Sequence, residues 1–204
     1  MGDLHKAIGD ISSIRRQIAG STQFRGYGPA TLAATGLFAL AAAALQSVRV
    51  PDSSGHIGAY LTIWISTAAL SAALTGTQMY TRTRRMHSGL SNEMLGMAVE
   101  QFLPAVGAGL LVTVVLVQAV PAAIWMLPGL WQIIFSLGIF SSCRFLPRTV
   151  IVAASWYLLS GLLCISLGDI RALAPWTMGL GFGVGQLLSA AMLFIGTPKE
   201  TNES

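Results

Sequence analysis

Residues 29–48 read PATLAATGLFALAAAALQSV, a stretch without one charged side chain. A helix of about 20 apolar residues is long enough to cross the hydrocarbon core of a bilayer, because each residue adds about 1.5 Å. Pro29 fits the first turn of such a helix, where a missing N–H costs nothing. This stretch therefore predicts a membrane-spanning helix.

Five further apolar runs follow, and they lie near residues 59–79, 103–120, 122–142, 149–168 and 173–195. Hydrophobic residues make up 53% of the 204-residue chain and charged residues only 10%, whereas a soluble domain carries roughly 25% charged residues. We therefore predict an all-α integral membrane protein with six transmembrane helices. Its predicted parts are a cytoplasmic amphipathic N-terminal segment (1–28), the six-helix bundle (29–196) and a polar cytoplasmic tail (197–204).

The basic residues between the apolar runs predict the orientation. Only Arg49 and Arg171 lie on one side of the predicted membrane. The other ten of the twelve Lys and Arg residues lie on the opposite side, at Lys6, Arg15, Arg16, Arg25, Arg82, Arg84, Arg85, Arg144, Arg148 and Lys199. Basic loops remain in the cytoplasm. Both termini are therefore predicted to be cytoplasmic, in a bacterial-type inner (plasma) membrane.

The N-terminal segment has the pattern of an amphipathic helix. Apolar residues recur every three or four positions, and Lys6, Arg15 and Arg16 lie among the remaining ones. A basic polar face of this kind favours contact with anionic lipid. Two alternatives are that the segment docks a protein partner or packs beneath the bundle. The apolar positions are Leu4, Ile8, Ile11, Ile14 and Ile18.

The last apolar run contains four alternating glycines, at Gly179, Gly181, Gly183 and Gly185. Steps of four residues place Gly179 and Gly183 on one face of a helix, with Gly181 and Gly185 nearly opposite. We expect this helix to be approached closely from two sides, since small residues mediate most helix contacts in membranes. The alternative is a broken helix whose freed backbone groups line a pore or substrate site.

Other predicted packing faces and polar positions lie in the remaining runs. Gln132 and Gln186 are the deepest polar side chains, and each is expected to form an interhelical hydrogen bond or to line a pore. Gln46, Gln78 and Gln118 lie nearer the ends of runs, and an interhelical hydrogen bond is expected for each of them as well. Small residues on one face predict helix contacts for the second run at Ala68, Ala72 and Gly76, and for the third at Ala105, Gly109 and Thr113.

Several kinds of chemistry are disfavoured by the sequence. No Asp, Glu, Lys, Arg or His lies in the middle of a run. Ion-coupled transport usually requires such a residue within the membrane, so it is disfavoured. Asp52 and His56 lie four residues apart, and we interpret them as residues of a solvated loop rather than as a site. We predict no catalytic residues, no metal site and no cofactor. The net charge of +4 arises from basic loop residues, so no nucleic acid partner is expected.

Two functions of different class remain. The first is a non-catalytic accessory, assembly or membrane-docked regulatory component, whose partners are membrane lipid and either another protein or a second copy of the chain. The second is a small transporter or channel for neutral or weakly polar solutes. No motif identifies a characterised family. We favour the accessory component, because reactive groups are lacking and small-residue contacts are abundant.

Overall fold

A computed structural model describes residues 28–86, 89–142 and 150–196, and within these ranges the chain is helical without β-strands. The predicted amphipathic N-terminal helix, with Lys6, Arg15 and Arg16, and the tail 197–204 lie outside the described residues. The helices are α1 (Pro29–Arg49), α2 (Ile57–Met86), α3 (Gly89–Gln118), α4 (Leu127–Ser142), α5 (Val150–Ser166) and α6 (Pro175–Gly196). Short 3-10 helices at Pro121–Met126 and Ile170–Leu173 precede α4 and α6.

In the described part of the chain, four segments are long and apolar enough to cross a membrane, which suggests a membrane protein. They are Pro29–Arg49, Ile57–Thr81, Pro121–Ser142 and Pro175–Ile195. Two further apolar helical segments, Phe102–Gln118 and Val150–Ser166, are shorter. Each described α-helix overlaps one of the six apolar runs that the sequence predicts.

Prolines and glycines explain several helix boundaries. Gly28 has an extended backbone, and Pro29 follows it at the start of α1. At the other end, the amide of Val50 donates to the carbonyl oxygen of Gln46 at 2.8 Å. The fourth run was expected to be helical from residue 122, but it begins as a 3-10 helix at Pro121 and becomes α-helical at Leu127. Two prolines, Pro121 and Pro128, lack N–H donors near this boundary.

Helix α3 is longer than the predicted third run. Residues 91–102 precede this run, and Pro104 lies near its start. They belong to one α-helix that continues through Pro104 to Gln118. The segment and the run are thus parts of a single element.

The helices pack in an order that differs from their order in the chain. Helix α6 lies against both α1 and α5, and α4 lies against both α5 and α3. Helix α2 packs on α1 but touches α3 only slightly, so it is peripheral. A hydrophobic cluster at the end of the bundle that carries residue 49 (the Arg49 end) includes Tyr60, Trp64, Leu173 and Met178. This arrangement surrounds α6 with neighbours and leaves α2 with a broad open face.

Candidate functional site

The glycine helix α6 is continuous through all four alternating glycines. On one face, a Cβ atom built on Gly179 would lie 2.6 Å from Cβ of Ala43 in α1. A Cβ atom built on Gly183 would lie 2.7 Å from a methyl carbon of Leu40. Any larger side chain at these two positions would therefore push α1 away. The first glycine face is closed by α1.

The opposite face of α6 receives side chains from α4 and α5. A Cβ atom on Gly181 would lie 2.5 Å from Oε1 of Gln132 in α4. A Cβ atom on Gly185 would collide with the ring of Tyr157 in α5. The missing side chains of Gly181 and Gly185 thus create the space that a polar side chain and an aromatic ring occupy.

Gln132 is fully buried where α4 meets α6. Its Nε2 donates to the carbonyl oxygen of Thr177 at 3.2 Å, while Oε1 has no conventional hydrogen-bond donor among the described residues. Oε1 lies 2.5 Å from the position that a Cβ on Gly181 would occupy, so a glycine at this position leaves room for it. Gln132 is thus bonded to α6 through Nε2 and packed against it at Gly181.

Gln186 lies on a different side of α6 and is half-buried. Its Cβ is 3.2 Å from the position that a Cβ on Gly36 of α1 would occupy. Gln186 therefore shares the α1 face with Gly179 and Gly183, whereas Gln132 lies on the α4 face. The structure does not bring the two glutamines together, and their roles as packing or pore-lining residues stay predictions.

Among the described residues, Gln46 forms the most extensive buried polar cluster, and the interhelical hydrogen bond expected for it is confirmed. Its Nε2 donates to Ser53 Oγ and to the carbonyl oxygen of Leu173, both at 2.8 Å. Its Oε1 accepts from Nε1 of Trp64 at 2.7 Å. Gln46 therefore links α1 to α2, to the loop that follows α1 and to the segment before α6. The sequence signal for this contact was a glutamine and a tryptophan at matching depth in two adjacent antiparallel runs.

Further polar groups also link neighbouring helices. Trp131 Nε1 donates to Thr113 Oγ1 at 2.9 Å and joins α4 to α3. Ser136 Oγ donates to the carbonyl oxygen of Ala154 at 2.9 Å and joins α4 to α5. Trp156 Nε1 donates to the carbonyl oxygen of Gly181 at 3.0 Å. In low-dielectric surroundings these bonds stabilise contacts between helices, since an unpaired donor is costly there.

An aromatic cluster fills the centre of the bundle beside the second glycine face. The ring centroids of Phe135 and Tyr157 are 4.9 Å apart, and Phe182 lies 5.4 Å from both. Phe102 of α3 extends the cluster at 5.3 Å from Phe135. Edge-to-face and tilted rings at such distances attract one another and exclude water. The centre of α3 to α6 is therefore solidly packed.

The small face predicted for the second run does not pack inside the chain. Ala68, Ala72 and Gly76 are exposed, and a Cβ on Gly76 would meet nothing within 4 Å. The expected helix contact is therefore wrong within this chain, because α2 turns these residues away from its neighbours. In the third run, Thr113 is buried, whereas a Cβ on Gly109 would again meet open space.

An open apolar groove separates α1 from α2 and has a volume of about 430 Å³. Its walls include Phe38, Ala42 and Leu45 from α1, and Thr62, Ser66 and Leu70 from α2. The groove lies on the outside of the bundle and does not lead to Gln132 or Tyr157. Nothing in the sequence predicted it, since it depends on how two helices diverge.

Asp52 and His56 lie in the exposed loop between α1 and α2. Asp52 Oδ1 accepts hydrogen bonds from Ser54 Oγ at 2.6 Å and from the amide of Gly55 at 3.2 Å. These bonds lower the pKa of Asp52 below its usual value, and the bond from Ser54 has the largest effect. The carboxylate stabilises its own turn, and within the described residues no group of three or more His, Cys, Asp and Glu side chains is placed to hold a metal ion.

Asp169 and Arg171 form a second local pair at the same end of the bundle. Arg171 Nε lies 2.8 Å from Asp169 Oδ2, and the amide of Arg171 donates to Asp169 Oδ1 at 2.9 Å. The side-chain bond lowers the pKa of Asp169 and raises that of Arg171. The pair caps the 3-10 helix that leads into α6.

Comparisons with protein-family models, with curated proteins and with solved structures give no match for this chain.

Proposed function

We propose that this chain is a six-span inner-membrane protein with both termini in the cytoplasm, and that it acts as a non-catalytic accessory, assembly or regulatory component. One observation carries the proposal. The buried side chains of Gln46, Gln132 and Ser136 form hydrogen bonds between helices, while α2 presents a face of small residues outward. A protein that uses its polar groups internally and leaves one helix open is suited to docking.

Helix length supports the six-span count. Val150–Ser166 has 17 residues, which is about 26 Å of helix and lies at the lower limit of the span range. Phe102–Gln118 is the apolar part of the 30-residue helix α3. An even number of spans agrees with the distribution of basic residues along the chain.

The described part of the chain supports docking over solute transport. Helix α6 is unbroken at its glycines. Gln132 of α4 contacts one face of α6, whereas Gln186 of α6 lies on a different face. A transport site of the broken-helix type needs unwound backbone beside a polar cavity. The aromatic cluster around Tyr157 occupies the region where such a cavity would have to pass.

The composition of the outward face of α2 indicates a protein partner. Residues 68–76 of α2 expose Ala68, Ala69, Ala72, Ala73 and Gly76. Small residues let helix backbones approach closely in a membrane, where helices gain little from burying large apolar side chains. The basic N-terminal segment, with Lys6, Arg15 and Arg16, is proposed to hold the chain against anionic lipid at the cytoplasmic surface.

The test is co-purification from native membranes with two matched variants. Gly76→Leu fills the open face of α2, and Gly107→Leu fills an equally open position on α3. We expect Gly76→Leu to lose the bound partner and Gly107→Leu to retain it. A partner that survives Gly76→Leu contradicts this docking face. A complex of two identical chains would identify the partner as a second copy.

Topology has its own measurement. The chain has two cysteines, Cys143 and the buried Cys164. Ser54→Cys, in a background in which Cys143 is replaced by Ser, places a new thiol in the exposed loop after α1. We expect an impermeant maleimide to label it in intact cells, whereas Ser204→Cys should react only after permeabilisation. The opposite labelling pattern would contradict the proposed orientation.

A further inference from the structure

The groove between α1 and α2 has walls that are mainly hydrocarbon. Three hydroxyl groups line it, and each donates to a carbonyl of its own helix. Thr62 Oγ1 donates to Gly58 at 2.8 Å, and Ser66 and Thr67 donate to Ile63 at 3.0 and 2.7 Å. Hydroxyls that are bonded in this way no longer require a polar ligand. The groove therefore fits an alkyl chain.

The length of the groove indicates what kind of alkyl chain fits. On α2 it extends from Thr62 to Leu70, which is about 12 Å of helix. Half of the hydrocarbon core is about 15 Å thick. A partner helix that crossed the membrane would require a groove of twice this length. The length of the groove therefore matches that of an acyl chain in the membrane leaflet at the Arg49 end.

A basic residue, Arg49, follows the groove residues along α1. Phe38, Ala42, Leu45 and Arg49 are spaced four, three and four residues apart, so they follow one face of α1. Arg49 is exposed and lies one turn beyond Leu45, where the hydrocarbon gives way to head groups. A lipid whose chain fills the groove would therefore bring its head group to the level of Arg49.

No carboxylate of the described residues is paired with this arginine. Asp52, three residues further on, is bonded to Ser54 and Gly55 in its own turn. Asp169 is paired with Arg171. The planar guanidinium of Arg49 therefore keeps its donors for an anion, and phosphate matches their geometry.

We propose that the α1–α2 groove binds one acyl chain of an anionic phospholipid and that Arg49 binds its phosphate group. The inference rests on the membrane location proposed above. The binding is non-covalent and lies on the α1 side of α2, apart from the small face at Ala68, Ala72 and Gly76.

The test is native mass spectrometry of the purified protein with phosphatidylglycerol and phosphatidylcholine added in equal amounts. We expect the wild type to favour phosphatidylglycerol about fivefold, the effect of one cation near a lipid surface. Arg49→Gln should abolish this preference. Arg171→Gln, which removes the paired cation at the same end, should retain it. A preference that survives Arg49→Gln overturns the proposal.

The groove itself is tested with a phosphatidylglycerol that carries a photoreactive diazirine on its acyl chain. We expect cross-links to residues 38–45 and 62–70, which Ser66→Phe should remove by filling the groove. Ala108→Phe, at an exposed position on α3, should leave them unchanged. Cross-links outside both segments in the wild type overturn the proposal without relying on any variant.

Two results would separate this inference from the proposed function. If the wild type sediments with membranes yet shows no preference between the two lipids, the groove proposal is wrong and the membrane location stands. If Ser66→Cys, in the Cys143→Ser background, forms a disulfide-linked dimer in membranes, the occupant is a second copy of the chain and the lipid proposal is wrong.

Discussion

Helices α6 and α2 are both rich in small residues, yet they use them in opposite ways. Every glycine from Gly179 to Gly185 has a side chain of another helix where its own Cβ would be. In α2, Gly58 and Gly76 face open space. A stripe of small residues therefore indicates a close approach but does not tell whether the approaching helix belongs to the same chain.

A second contrast separates the two peripheral helices. Helix α3 exposes large apolar side chains such as Leu103, Leu110 and Val114, which are suited to lipid. Helix α2 exposes alanines and glycine between residues 68 and 76. The larger share of small residues on this part of α2 is the reason for proposing α2, rather than α3, as the docking surface.

The largest expected effect comes from filling a closed glycine position. In Gly181→Leu the new side chain must displace the amide of Gln132, so we expect a loss of about 3 kcal/mol, the upper range for overpacking. Gly76→Leu should change stability by less than about 0.5 kcal/mol, as for an exposed substitution. Thermal unfolding in detergent measures both. Equal stability of the two variants would remove the distinction between α6 and α2.

Gln46 should be the next most sensitive position. Gln46→Leu leaves the indole N–H of Trp64 and the carbonyl of Leu173 without their partner, so we expect a loss of about 2 kcal/mol from buried unpaired groups. The measurement is again thermal unfolding. In the double variant with Trp64→Phe, the two losses should be less than additive, because the second change removes one of the unpaired groups.

Gln132 should matter less than Gln46, although it lies deeper in the bundle. Its single conventional hydrogen bond is 3.2 Å long, and interhelical bonds in membranes contribute about 0.6 kcal/mol on average. We therefore expect Gln132→Met to cost less than about 1 kcal/mol in the same assay. A larger loss than that of Gln46→Leu would reverse the order of the two glutamines.

The smallest effect is expected in the exposed loops. The pKa of Asp169 is lowered, so its ionised form stabilises the folded state above the usual value of 3.8, and this contribution is lost as pH falls through the lowered pKa. Asp169→Asn should therefore melt slightly below the wild type at pH 6, and the difference should shrink below pH 3.8. Melting curves at several pH values check this, and a difference that grows on acidification would contradict it.

The sequence alone was sufficient for the helices because their signal is local. A run such as residues 29–48 must satisfy its own backbone hydrogen bonds in hydrocarbon, whatever its neighbours are. The two-sided pattern at Gly179 and Gly181 likewise follows from helical spacing. Six apolar runs and the residues that open α6 to close approach could thus be derived residue by residue.

Tertiary structure decided which helix occupies each face. Ala68, Ala72 and Gly76 have the same spacing as Gly181, Gly185 and Ser189, yet only the second set is covered within the chain. The cluster at Gln46 and the groove beside Leu45 depend on how α1 and α2 cross. The way two helices cross depends on how their two surfaces fit together, so it cannot be predicted from the residue spacing within one helix.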